Sequence, residues 1–109
     1  MNIKSFLHKN TPKEIIVVQG LGFVGSVMSL VCANAINGDY AVIGVDVPTE
    51  RGKKITDDLN NGIFPLVADD PKIDQLFKKS IEKGNFFATT ETDAYKFADV
   101  IIVDINLDV

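Results

Sequence analysis

The sequence predicts an α/β protein, in which a parallel sheet of about four strands carries helices on its faces. Short runs rich in Ile, Val and Phe alternate with segments of helical periodicity along the chain. The first two apolar runs and the helical segment between them together span about 30 residues, the usual length of a strand-helix-strand unit. These observations indicate part of a Rossmann-like doubly wound sheet, for which right-handed crossovers predict the strand order 3-2-1-4.

The strands are predicted from continuous apolar runs, which are typical of strands buried on both faces of a parallel sheet. They cover residues 13–19, 40–45, 86–89 and 100–103. Residues 1–12 are predicted to be a polar lead-in, and residues 13–109 a single Rossmann domain that is truncated after its fourth strand. The apolar edge of that strand then lacks a partner, so we expect self-association through it. A strictly monomeric sedimentation profile at high concentration would count against this.

Helices are predicted over residues 23–37, 50–60 and 71–83, with a brief helix over residues 91–97. Thr49 is the expected N-cap of the second, Asp69 or Asp70 that of the third, and Gly84 follows the third as its C-terminal glycine. The first helix is expected to pack on the sheet through Val24, Val27, Met28, Val31, Cys32 and Ala35. The third is expected to bury Ile73, Leu76, Phe77 and Ile81.

The segment Gly20-Leu21-Gly22-Phe23-Val24-Gly25 has the spacing of a dinucleotide-binding turn and lies between a strand and a helix, as that turn requires. Gly20 lets the chain turn sharply, Gly22 has no Cβ in the way of a pyrophosphate, and Gly25 lets the helix pack closely. The helix N-terminus offers free backbone N–H groups and a partial positive charge to phosphates.

Asp46 follows the second strand, 21 residues after Gly25. A carboxylate there accepts hydrogen bonds from the adenosine ribose and repels a 2′-phosphate, which favours NAD over NADP. The alternative is that Asp46 only terminates the strand. Arg51 can stack on the adenine or reach a ribose or phosphate oxygen, although an exposed solubilising arginine fits equally well. Asp104 stands at the carboxyl end of the fourth strand, where ligands bind in such sheets, but a structural or solvated role is the prediction for it.

Composition argues against other classes of protein. The net charge is −4 and both signs are mixed along the chain, so no nucleic-acid partner is expected. No apolar run approaches the length of a membrane span and no signal peptide is recognisable, so we expect a cytoplasmic protein. The single cysteine, Cys32, is expected to be a small buried side chain, and the single histidine, His8, a surface residue. No metal site or catalytic group is predicted.

Three further stretches resemble the UDP-glucose/GDP-mannose dehydrogenase family. They are Leu59-Asn60-Asn61-Gly62-Ile63-Phe64-Pro65 (an LNxGxxP element), Phe87-Ala88-Thr89-Thr90 and Ala98-Asp99-Val100-Ile101-Ile102-Val103. The glycine turn and the Gly44-Val45-Asp46-Val47 segment also resemble that family, so the likeness covers essentially residues 13–109. The chain departs from the family pattern after Pro65, and again after the fourth strand, where relatives often have a proline-threonine turn that touches the cofactor.

The resemblance implies an N-terminal domain that binds NAD, with the pyrophosphate held by Gly20, Gly22, Phe23, Val24 and Gly25. It implies that Asp46 holds the adenosine ribose and that Arg51 lies near it. The family oxidises the C6 alcohol of a nucleotide sugar to a carboxylate through a cysteine-linked intermediate, and Cys32 does not match that cysteine's motif. The implied nucleotide-sugar partner and the catalytic cysteine therefore belong to sequence outside these 109 residues.

Two other hypotheses remain open at this point. One is a free-standing module that senses NAD or a related nucleotide without turnover, and the other is a remnant that keeps the fold but binds nothing. The LNxGxxP element favours the dehydrogenase, since a sensor has no need of it. Downstream sequence with a cysteine motif and a second domain would separate the dehydrogenase from the remnant.

Overall fold

A computed structural model describes residues 2–66 and 70–104. The elements in chain order are α1 (Ile3–Asn10), β1 (Glu14–Gln19), α2 (Phe23–Ala33), β2 (Tyr40–Val45), α3 (Glu50–Asn60), α4 (Pro71–Lys83), β3 (Phe86–Thr89), a 3-10 helix (Thr92–Phe97) and β4 (Val100–Val103). All strand pairs are parallel and the sheet has the order β3-β2-β1-β4. The predicted fold class and strand order are confirmed.

Helix ends follow the predicted capping residues. The Thr49 side chain accepts a hydrogen bond from the Gly52 amide at 3.1 Å, which caps α3. Asp70 caps α4 in front of Pro71, and Gly84 ends that helix in the left-handed conformation with φ of 66°. Asp69, the alternative cap, lies outside the described residues.

The core lies on both faces of the sheet. On one face, α1 and the 3-10 helix cover side chains such as Val17, Ile43 and Phe87. On the other face, α2, α3 and α4 pack together around Leu30, Leu59 and Phe77, and α2 also covers the strand residues Val18 and Val42. The carboxyl ends of all four strands are thereby left at one rim of the sheet, where the loops that follow β1, β2 and β4 come together.

The N-terminal segment is not a polar lead-in. Asn2 caps α1, and the helix buries Ile3 and Phe6 against the sheet. The Phe6 ring stacks on Phe87 with ring centroids 5.6 Å apart. The Asn10 side chain donates a hydrogen bond to the Gly84 carbonyl at 3.1 Å. Only a few apolar residues in a short polar stretch carry this packing, so sequence periodicity did not reveal it.

The predicted inward face of α2 is wrong in part, since Val27 and Cys32 pack beside core clusters as expected. Val24, Met28 and Val31 are each at least 40 % exposed, whereas the helix turns its small side chains toward the sheet. The buried residues are Gly25, Ser26, Ser29, Leu30 and Ala33. Small residues let the helix axis approach closely, and the two serine hydroxyls donate to carbonyls of the preceding turn, so their burial leaves no donor unpaired. The helix also ends at Ala33, where Asn34 forms the C-cap, rather than at residue 37.

Two further apolar surfaces are more exposed than expected. Ile81, predicted to be buried in α4, is 48 % exposed, while Ile73 and Phe77 of the same stripe are buried. In β4, Val100, Ile101 and Val103 are each about half exposed. Association of chains through this edge stays a prediction.

Candidate functional site

The glycine turn joins β1 to α2. Gly20 has φ of 95°, a conformation that L side chains rarely adopt, and its amide donates to the Val45 carbonyl at 2.8 Å. A Cβ on Gly25 would collide with the carbonyl oxygen of Gly20, so the third glycine is required for the first turn of α2 to lie against the turn. A Cβ on Gly22 would meet nothing within 4 Å. The surface over Gly22 is therefore open, as the approach of a ligand to the backbone requires.

The N-terminus of α2 faces this open surface. Gly22 is the N-cap residue and makes no side-chain cap, and its carbonyl accepts the first helical hydrogen bond, from the Ser26 amide at 2.9 Å. The amides of Phe23 and Val24 precede that bond and have no acceptor within the helix. These amides also lie at the positive end of the helix dipole, the arrangement with which helix N-termini attract anions. The buried Ser26 hydroxyl donates to the Leu21 carbonyl at 3.0 Å and holds the turn on the helix.

Asp46 lies at the carboxyl end of β2, beside the turn. One carboxylate oxygen accepts from the Leu21 amide at 3.3 Å, and the other accepts from the Val47 amide at 2.7 Å. The carboxylate thus supports the turn, and each oxygen keeps a second lone pair for a ligand hydroxyl. The side chain is half-buried, so one side of it is accessible from the rim.

Asp104 enters the same site from the carboxyl end of β4. Its amide donates to the Gln19 carbonyl at 2.9 Å, and its carboxylate accepts from the Gly25 amide at 3.1 Å. The predicted structural role of Asp104 thus takes the form of a hydrogen bond to the N-terminus of α2. The predicted strand order already brings this residue close to the glycine turn, because β4 lies next to β1, but the order alone did not predict the bond to the Gly25 amide.

These groups line one cleft of about 570 Å³. Its walls are the glycine turn with the first residues of α2, the loop after β2, the start of α3 and Asp104. Arg51 is exposed in the first turn of α3 and lines the cleft, which accordingly contains one guanidinium and the two carboxylates of Asp46 and Asp104. A volume of this size lies within the range of small-molecule sites.

Tyr95, in the 3-10 helix, is a neighbour of Asp46 that the sequence did not indicate. Burial raises the pKa of its hydroxyl, and the negative charge of Asp46 raises that pKa further. Both effects keep the phenol in its neutral form, which can donate a hydrogen bond.

The remaining candidates lie elsewhere. Cys32 is half-buried in α2 and packs beside a core cluster, and burial raises the pKa of its thiol, so it lacks the character of an activated nucleophile. His8 is on the exposed side of α1. Within residues 2–66 and 70–104, no group of three or more His, Cys, Asp or Glu side chains is arranged to hold a metal ion. No helix in those ranges is long and apolar enough to cross a membrane.

Comparison with protein families decides the relationship. Residues 14–107 match the model of the UDP-glucose/GDP-mannose dehydrogenase family, NAD binding domain. The chain belongs to this family. The chain corresponds to the NAD-binding domain of this family. This agrees with the glycine turn after β1 and with Asp46 at the end of β2.

Solved structures show the same fold. One is an NDP-N-acetyl-D-galactosaminuronic acid dehydrogenase from Methanosarcina mazei Go1, with 24% identity and a TM-score of 0.77 over 94% of this chain and 22% of that one. Another is a UDP-D-ManNAc dehydrogenase from Pyrococcus horikoshii, with 24% identity and a TM-score of 0.68 over 84% of this chain and 20% of that one. The chain thus spans about a fifth of either dehydrogenase. Comparison with curated proteins gave no significant match.

Proposed function

We propose that these 109 residues are the NAD-binding part of a nucleotide-sugar 6-dehydrogenase, which oxidises the C6 alcohol of a UDP- or GDP-sugar to a carboxylate. The observation that carries the proposal is the family match over residues 14–107, together with an open glycine turn between β1 and α2. The two dehydrogenases with this fold, both named for nucleotide sugars, support the substrate class. The catalytic cysteine and the sugar-binding residues are supplied by sequence outside these residues.

The residues at the turn fit the pyrophosphate of NAD. Gly22 leaves open space in front of the backbone, and the amides of Phe23 and Val24 are unused by the helix. In this proposal, these amides donate to the phosphate oxygens, and the dipole of α2 stabilises their negative charge. Gly20 and Gly25 hold the turn in shape, since neither tolerates a side chain in this conformation.

The residues around Asp46 fit the adenosine end of the cofactor. The carboxylate accepts hydrogen bonds from the ribose hydroxyls with the lone pairs that the Leu21 and Val47 amides leave free. Arg51 borders the same cleft and contacts the adenine or the ribose. A phosphate on the 2′ position would lie against the Asp46 carboxylate, so NADP is disfavoured.

NAD, when bound, supplies the acceptor for hydride in the oxidation of the sugar alcohol. The part of this chain is to bind and orient the cofactor. Among the described residues, the ionisable groups that line the cleft are Asp46, Arg51 and Asp104, and in this proposal none of them takes part in the oxidation itself.

Isothermal titration calorimetry of the chain with NAD, NADH and NADPH tests the proposal. We expect NAD and NADH to bind and NADPH to bind more weakly. Nicotinamide mononucleotide, which lacks the adenosine half, is the control and is expected to bind more weakly than NAD. Absence of binding by NAD and NADH below the millimolar range would contradict the assignment, and tighter binding of NADPH would contradict the role of Asp46.

A further inference from the structure

Asp104 holds a backbone amide that belongs to the anion-binding end of α2. The hydrogen bond from the Gly25 amide to the Asp104 carboxylate measures 3.1 Å. Gly25 follows Phe23 and Val24, so its amide is the third in the first turn of the helix. The backbone of Asp104 is itself fixed, because its amide bonds to Gln19 in the parallel pairing of β1 and β4. The carboxylate is thus brought to the helix by the sheet.

The Asp104 carboxylate caps the N-terminus of α2, a role that a neighbouring side chain has in other helices. The first turn of α2 contains no acidic residue, and its N-cap, Gly22, makes no side-chain hydrogen bond. In α3 and α4, by contrast, Thr49 and Asp70 provide such caps from the preceding residue. A negative charge at a helix N-terminus is stabilising, because it satisfies a free amide and interacts favourably with the helix dipole.

The phosphates of a nucleotide need the same end of the same helix. A phosphate on the amides of Phe23 and Val24 would lie next to the carboxylate on the following amide, and two negative charges at that separation repel each other. The only cation lining the cleft among the described residues is Arg51. The charge at the turn therefore opposes phosphate, whereas the geometry of the turn favours it.

We propose that Asp104 competes with the phosphate groups of a nucleotide for the N-terminus of α2 and so determines how strongly this domain binds phosphorylated ligands. The proposal rests on the proposed function, since it takes the nucleotide to bind with its phosphates at the glycine turn. Asp46 and Asp104 then have opposite effects in one cleft. Asp46 recognises uncharged hydroxyls, and Asp104 weakens the binding of phosphates.

Calorimetry with ADP and adenosine on the wild type, on Asp104 variants and on a control variant tests the competition. In Asp104→Asn, the amide oxygen still accepts a hydrogen bond from Gly25 but the charge is gone. We expect this chain to bind ADP about twofold to thirtyfold more tightly than the wild type, the range that one charge at a helix terminus contributes. Adenosine, which has no phosphate, should bind both chains equally. Asp93→Asn, which removes an exposed carboxylate outside the cleft, is the control and should leave ADP affinity unchanged.

The outcomes separate this inference from the proposed function. If the wild type binds NAD but Asp104→Asn gains no affinity for ADP, the competition is refuted and the cofactor assignment stands. If no chain binds NAD, ADP or adenosine, both the competition by Asp104 and the proposed function are refuted. An equal gain for adenosine would also refute the competition, because it would show a general change of the cleft. Asp104→Ser, which removes the charge and keeps a hydroxyl, is expected to give the same gain in ADP affinity, so a poorly folded Asp104→Asn chain would not prevent the test.

Discussion

The Asn60 side chain pairs with the backbone of Ala88 in the manner of an additional strand. Its amide nitrogen donates to the Ala88 carbonyl at 2.7 Å, and its oxygen accepts from the Ala88 amide at 2.9 Å. Ala88 lies in β3, an edge strand, and is almost fully buried. Both backbone groups would otherwise be buried without a partner. Asn60 is also the second residue of the LNxGxxP element. One residue of that element therefore satisfies the otherwise unpaired hydrogen-bonding edge of β3 at Ala88.

Asn60→Ala is expected to lower the free energy of unfolding by about 1–3 kcal/mol, because it leaves the amide and the carbonyl of Ala88 unpaired. Urea denaturation measures the change. Asn61→Ala is the matched control: its side chain bonds only to the Asp57 carbonyl of its own helix and is exposed, so we expect a smaller loss. Equal losses in the two variants would show that the pairing with β3 contributes nothing of its own.

Gly22→Ala should weaken NAD binding without loss of stability, whereas Gly25→Ala should destabilise the folded chain. At Gly22 a methyl group points into open space, so the chain should stay as stable as the wild type while its affinity for NAD falls by tenfold or more, on the order of the 1.4 kcal/mol that a tenfold change represents. At Gly25 the methyl group collides with the Gly20 carbonyl, so the folded state itself is destabilised. Thermal unfolding and calorimetry on both variants check this. Unimpaired NAD binding by a stable Gly22→Ala chain would remove the turn from the proposed site.

Asp46→Asn should weaken NAD binding by about 1–2 kcal/mol, because one charge-assisted hydrogen bond to the ribose is lost. The same change should improve the relative binding of NADPH, since the charge that repels its 2′-phosphate is removed. Calorimetry with both dinucleotides measures the ratio. Asp57→Asn, an exposed carboxylate on α3, is the control and should leave the ratio as it is. A ratio unchanged by Asp46→Asn as well would exclude Asp46 from cofactor selection.

The stability of the chain should fall as the pH rises above neutral. Burial raises the pKa of Cys32, and burial followed by the charge of Asp46 raises the pKa of Tyr95. The unfolded chain therefore releases these protons at lower pH than the folded chain, so it binds fewer protons and the free energy of unfolding decreases with pH. The contribution is complete below the ordinary pKa values of thiol and phenol and is lost above them. Urea denaturation between about pH 7 and about pH 10.5 measures the loss.

The matched chain for this pH series is the double variant Cys32→Ala, Tyr95→Phe, which has neither group. Its free energy of unfolding should decline less steeply over the same range. Parallel curves for the two chains would show that other groups cause the decline.

Phe6→Ala should lower the free energy of unfolding by about 3 kcal/mol or more, because the ring is fully buried against Phe87 and its removal leaves a cavity. Phe97→Ala is the control: that ring is 42 % exposed and should cost much less. Chemical denaturation compares the two. A Phe6→Ala chain as stable as the wild type would mean that α1 is dispensable for the fold.

The sequence determined the parts of this protein that depend on local chemistry. Continuous apolar runs located the strands, capping residues such as Thr49 and Gly84 located helix ends, and the spacing of glycines and Asp46 indicated a dinucleotide turn. The capping and glycine signals work within a few residues, because backbone conformation and hydrogen bonding at a turn are set by neighbouring side chains. The interval from Gly25 to Asp46 instead reflects the regular length of a strand-helix-strand unit. The cofactor roles of the individual residues stay predictions.

Tertiary structure decided which apolar face is buried and which distant groups meet. The apolar stripe of α2 predicted its packing only in part, because close approach to the turn requires the small residues Gly25, Ser26 and Ser29 on the inside. The pairs Asp104–Gly25 and Asn60–Ala88 are 79 and 28 residues apart in the chain. Only the strand order and the placement of α3 on β3 bring them together, because contacts at such separations depend on how elements pack rather than on the preferences of neighbouring residues.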